Sequence, residues 1–137
     1  MNKTDIDYLE KKLRVKLPDF YKETMLNCPF DQGSWGEEFG LCNELSWLID
    51  ANGIFKPEDR CYAFGSDGGE FYYFLRLDGS EKVFIFDMED SHAHLSVEAE
   101  TWQEYLQQIV ALEEQGRLEE IHEEERKKNK KWWEFWI

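Results

Sequence analysis

The chain has 137 residues, 42 % of them hydrophobic and 16 % aromatic, which suits one domain with its own core and argues against a disordered chain despite 34 % charged residues. No apolar run is long enough for a transmembrane helix. The opening Met1-Asn2-Lys3-Thr4-Asp5 has no secretory-type apolar stretch, and Cys28, Cys42 and Cys61 are widely spaced with no CxxC pair, so a cytoplasmic protein with reduced thiols is expected. The net charge of -14 is concentrated: residues 1–22 carry six bases and four acids, residues 23–112 eighteen acids and four bases, and residues 113–131 seven acids and six bases. Such a field repels nucleic acid and attracts basic proteins.

Along the chain, Ile6, Leu9 and Leu13 predict a first helix over 5–14, with Thr4 and Asp7 as a capping box. Pro18 suits the start of a second helix, whose stripe is Phe20, Tyr21, Thr24 and Met25, ending near Asn27-Cys28-Pro29. Residues 29–44, with Gly33, Gly36 and Gly40 among Trp35 and Phe39, read as a loop with aromatic anchors. Residues 45–50 fit a strand or a helical turn equally well, and Asn52-Gly53 signals a turn. Cys61–Phe64, Phe71–Leu77 and Lys82–Asp87 read as three strands of an antiparallel meander, joined by turns at Ser66–Glu70 and Asp78-Gly79. Thr101 and Glu104 form a second capping-box candidate before a helix with Trp102, Tyr105, Leu106, Ile109, Val110 and Leu112 on its stripe, which Gly116 is expected to interrupt or end. Beyond it, Glu123–Lys127 and Glu124–Lys128 are favourable i,i+4 pairs. The expected organisation is a domain over 1–112 and a charged helical extension over 113–137.

Little in the sequence carries catalysis. Asp87-Met88-Glu89-Asp90-Ser91-His92-Ala93-His94 holds three carboxylates and two imidazoles, but it lacks the glycine of a calcium loop and any nearby cysteine. It reads as a solvated acidic loop, so no metal and no cofactor is expected. There is no Gly-x-Ser-x-Gly elbow. Ser66-Asp67-Gly68-Gly69 is too short for a phosphate loop and lacks its lysine, and reads as a hairpin turn.

Taken in order, Ile6-Asp7-Tyr8-Leu9-Glu10, Leu17-Pro18-Asp19-Phe20-Tyr21, Tyr62-Ala63-Phe64-Gly65-Ser66-Asp67-Gly68-Gly69-Glu70, Val83-Phe84-Ile85-Phe86-Asp87 and Thr101-Trp102-Gln103-Glu104-Tyr105-Leu106 resemble the Smi/Knr-type domain of the SUKH superfamily. The resemblance covers residues 5–112. Glu70 after two glycines departs from the longer glycine run of that turn. The resemblance implies an α+β fold, a mainly antiparallel sheet packed against helices, here with a C-terminal helical extension. It also implies a non-enzymatic role: bacterial members look like immunity proteins that neutralise a partner toxin, often a nuclease, and some eukaryotic members look like regulators.

A -14 protein can place carboxylates on the phosphate-binding surface of a nuclease. The expected partner-binding residues are Trp35, Glu37 and Glu38, the turn residues Asp67 and Glu70, and Asp87, Glu89 and Asp90, as exposed acids beside aromatic anchors. A regulatory module or scaffold without a toxin partner is the alternative, and a metal-dependent enzyme using Asp87–His94 is a third. The aromatic end, Trp132, Trp133, Phe135 and Trp136, is expected to dock on the core or on a second copy, which would make a homodimer. Neither nucleic acid nor a membrane is expected as a partner.

Overall fold

The computed structural model describes residues 1–28, 30–87 and 96–127, and the helical backbone through 135. Helices α1 (Lys3–Leu13) and α2 (Asp19–Leu26) come first, then the single turn α3 (Trp35–Glu38) and α4 (Leu45–Ala51), followed by short 3-10 turns at Asn52–Ile54 and Pro57–Asp59. Four strands follow, β1 (Cys61–Ser66), β2 (Phe71–Arg76), β3 (Val83–Asp87) and β4 (Ser96–Ala99), and then one long helix, α5 (Trp102–Phe135). The strands lie in the order β1-β2-β3-β4, each pair antiparallel. This is the expected α+β arrangement.

Several local readings shift. Helix α1 starts two residues earlier than its apolar spacing suggests, because Asn2 caps it: the Asp5 amide donates to Asn2 Oδ1 (2.8 Å) and the Asn2 amide donates back to Asp5 Oδ2 (3.2 Å). Thr101 does accept from the Glu104 amide (3.2 Å), but the Glu104 carboxylate reaches the amide of Glu100 instead of that of Thr101. The segment 29–44 contains the turn α3, and residues 45–51 are helical. A fourth strand, β4, follows the predicted three.

The main core lies between one sheet face and the helices. It holds Ile6 and Leu9 of α1, Tyr21 and Met25 of α2, Leu41, Leu48 of α4, Tyr62, Phe64, Leu75 and Val83 of the sheet, and Trp102, Tyr105 and Ile109 of α5. Its centre is aromatic. Tyr21 meets Tyr62 edge-on at 5.1 Å, and Phe64 meets Trp102 at 5.2 Å and Tyr105 at 5.3 Å, contacts worth about 0.5–1.5 kcal/mol each beyond their buried area. The polar ends of these rings are paired. The Tyr21 and Tyr62 hydroxyls lie 2.7 Å apart, Trp102 Nε1 donates to Thr24 Oγ1 (2.9 Å), and Tyr105 donates to the Gly40 carbonyl (2.5 Å). A smaller cluster on the other sheet face joins Ala63, Phe74 and Phe84 to Ala51, with Trp47 and Phe55 packed over it.

Glycine at 65 has a steric reason. A bulge shifts the β1–β2 register between Ala63 and Gly65. There β1 presses so closely on the preceding loop that a Cβ at Gly65 would overlap the Gly40 carbonyl. That same carbonyl takes the Tyr105 hydroxyl, so strand, loop and α5 meet at one point.

Candidate protein-binding surface

The sheet is polarised along its strands. Lysine and arginine are absent from residues 23–55, 61–75 and 83–116, so the four cations of residues 23–112 are Lys56, Arg60, Arg76 and Lys82. Strand register puts all four at or near one end. Cys61 pairs with Arg76, and Val83 with both Leu75 and Ala99. Arg60 there donates to the Leu77 carbonyl (3.0 Å), the Arg76 guanidinium lies 4.6 Å over the Phe84 ring, and Lys82 pairs with Glu100 at 3.6 Å. Lys56 lines a small pocket with Leu13, Val15 and Cys61 at the same end.

At the opposite end the strands and the β1–β2 turn carry acids and no lysine or arginine. Ser66 pairs with Tyr72 and Phe71 with Asp87, so the β1–β2 turn, with Asp67 and Glu70, sits beside the end of β3, with Asp87. The turn folds around glycine with a positive φ at Gly68 (83°). Asp67 ties it by accepting from the amides of Gly69 (2.9 Å) and Phe71 (3.2 Å). Asp67 therefore shapes the turn as well as charging it.

Helix α3 reaches this end through Phe39. A Cβ at Gly68 would lie 2.6 Å from Phe39 Cε1, and the Phe39 ring meets Trp35 edge-on at 5.7 Å. Ser34 caps α3 by accepting from the Glu37 amide (3.4 Å), and Glu113 of α5 accepts from the Gly36 amide (2.6 Å). The Trp35 indole lies over Gly116 of α5, where a Cβ would come 2.5 Å from Trp35 Cγ. This contact is why Gly116 neither interrupts nor ends the helix: it is a buried packing position within a continuous α5.

Trp35, Glu38, Asp67, Glu70 and Asp87 thus converge on one end of the sheet. Glu37 does not share their exposure. It is 7 % exposed, and burial raises its carboxyl above the usual range, with Glu38 and Glu44 adding to the rise and the amides of Asn43 and Gly33 opposing it. The reading of Glu37 as a surface acid is corrected on this point: position 37 turns inward on α3 while Glu38 turns out. Glu89, Asp90 and the two histidines after them lie outside the described residues. Two aromatic neighbours of the acids were not among the expected partner-binding residues: Phe39, read only as a loop anchor, and Phe71, which is 37 % exposed. Phe71 alternates with buried Phe74 in a strand so aromatic that spacing alone does not separate surface rings from core rings.

Among the described residues, no group of three or more histidine, cysteine or acidic side chains is arranged to hold a metal ion. Burial raises all three thiols above their ordinary range, Cys42 up to about 12. Among the described residues no helix is long and apolar enough to cross a membrane.

Among protein-family models, that of the SMI1 / KNR4 family (SUKH-1) matches residues 1–108. No curated protein and no solved structure matches the chain. The matched segment ends within α5, eight residues before Gly116.

Proposed function

Since the chain belongs to the SMI1 / KNR4 family (SUKH-1), we propose that it is a cytoplasmic, non-enzymatic immunity protein that neutralises a cognate toxin, a nuclease foremost, by binding it. The observation that carries this reading is the gathering of Glu38, Asp67, Glu70 and Asp87 at one end of the sheet beside Trp35 and Phe71. Glu89 and Asp90 continue the acidic sequence from Asp87. A nuclease needs a cationic surface to hold phosphates, and carboxylates set at fixed spacing can occupy that surface in place of the nucleic acid. The aromatic rings supply apolar area next to the charges, the combination that concentrates binding energy. The thiols support a non-catalytic role, because thiols with raised pKa values are poor nucleophiles at neutral pH.

The test is to read the neighbouring gene for a C-terminal toxin domain and to co-express the chain with that domain. The reading predicts that the chain restores growth and co-purifies with that domain as a stable complex. Restoration that survives Glu38→Lys/Glu70→Lys/Asp87→Lys unchanged would contradict the assigned surface. Absence of any such neighbouring toxin domain, or failure to protect against it, would contradict the immunity role itself.

A further inference from the structure

Helix α5 outruns the domain it packs on. Its buried positions are Trp102, Tyr105, Ile109 and Gly116, and from Arg117 to Lys127 every residue is exposed. Leu118 and Ile121 are among these, 49 % and 47 % exposed. At about 1.5 Å per residue, position 132 lies some 24 Å along the axis from Gly116. The helical backbone passes Asn129 without a break and runs on to position 135, beyond Gly116, the last buried position among the described residues. An unsupported polar helix of this length is marginal in water, and its i,i+4 Glu–Lys pairs contribute only about 0.2–0.5 kcal/mol each.

The sequence of this free part has a seam. Positions 118, 121, 125, 128, 132 and 135 follow alternating steps of three and four, the spacing of a two-helix contact. They read Leu, Ile, Glu, Lys, Trp and Phe: two apolar positions, an acid and a base, then two apolar positions. Of the charged residues around the seam, Glu124 before its centre and Lys131 after it border the seam, while Glu119, Glu120, Glu123, Arg126, Lys127 and Lys130 fall at outer positions of the helix.

We propose that the free half of α5 pairs with the same segment of a second copy, antiparallel and centred between positions 126 and 127. In that register Leu118 faces position 135 of the other copy, Ile121 faces position 132, and Glu125 faces Lys128, so every apolar seam position meets an apolar one and the central acid meets the central base. Beside the seam, Glu124 of each helix comes near Lys131 of the other. A parallel pair would set Glu125 against Glu125 and Lys128 against Lys128, and would bring the two acidic domains side by side. The antiparallel pair holds the points where the helices leave their domains about 31 Å apart along the axis, several times the Debye length of about 8 Å at physiological salt. Charge repulsion between the domains therefore selects the antiparallel arrangement and leaves each acidic sheet end free.

Sedimentation equilibrium on the full chain tests this. The wild-type protein forms a concentration-dependent dimer. Leu118→Glu/Ile121→Glu weakens it at least tenfold while the melting temperature of the domain holds, since both side chains are exposed. Orientation is read from disulfide capture under mild oxidation in a mixture of Leu118→Cys and Phe135→Cys chains. The proposal predicts the mixed 118–135 cross-link as the dominant product. A monomer at every concentration, a dimer indifferent to the Leu118 and Ile121 changes, or dominant 118–118 cross-links would overturn it.

Discussion

The outer edge of β1 would leave the amide groups of Ala63 without partners but for one side chain. Asn52 Oδ1 accepts from the Ala63 amide (2.7 Å), and its Nδ2 donates to the Ala63 carbonyl (2.8 Å) and to the Leu48 carbonyl (2.8 Å). One buried amide thus stands in for a neighbouring strand and fastens α4 to the sheet. Asn52→Ala orphans both Ala63 groups at about 1–3 kcal/mol each, so urea denaturation of the variant is expected to show a loss of about 2–6 kcal/mol, a large share of the roughly 5–15 kcal/mol that holds a domain folded. Glu37 gives a second, pH-resolved expectation. Its folded-state pKa lies above the unfolded value, so the cost of ionising it is absent below the unfolded pKa, sets in as pH rises through the interval between the two, and is complete above the folded pKa. Glu37→Gln removes that cost. The melting temperature of the variant relative to wild type is therefore expected to increase from acid to neutral pH, and a difference that stays flat or declines over that interval would contradict the burial argument.

Among the elements, α5 shows how a distant contact overrides local preference. In an exposed helix interior, Gly→Ala stabilises by about 1 kcal/mol. At Gly116 the added Cβ meets the Trp35 indole 2.5 Å away, and overpacking of this kind costs about 1–3 kcal/mol. Gly116→Ala is thus expected to lower the melting temperature where propensity alone predicts a gain. The same contact explains why the sequence alone suggests an interruption or end at Gly116 between the helix and its extension: Trp35 lies far away in the chain, and nothing near position 116 announces it. The meander was legible because β2 and β3 are dense in aromatic and β-branched residues between glycine turns. Strand β4 was not, since Ser96, Val97 and Glu98 are all exposed and only Ala99 enters the core, leaving no alternation to read. Helix α4 is too short for its period to separate it from a strand. At the candidate site, acids and tryptophan were visible as residue types. That Glu37 faces inward, and that Phe39 ties α3 to the β1–β2 turn, depends on how α3 docks on α5, through Glu113 on the Gly36 amide and Trp35 on Gly116.

At the scale of the whole molecule, the arrangement separates two surfaces. The sheet end formed by Glu38, Asp67, Glu70 and Asp87 carries negative charge on segments that contain no lysine or arginine, and the free half of α5 carries both signs in blocks. A net charge of -14 gives the first surface reach beyond direct contact, since an acidic field speeds encounter with a cationic partner more than it slows release. The variant for probing this is Glu38→Lys/Glu70→Lys, which leaves Asp67 to hold the turn and Glu37 to its buried place. The most direct measurement is the association rate of the chain with the toxin domain proposed as its partner, followed by surface plasmon resonance across a salt series. The account predicts an association rate that falls steeply as salt rises, a dissociation rate that changes little, and a double charge-reversal variant that associates at least tenfold more slowly with a flattened salt dependence. Association that is indifferent to salt and to both reversals would contradict the claim that the acidic end of the sheet is the binding surface.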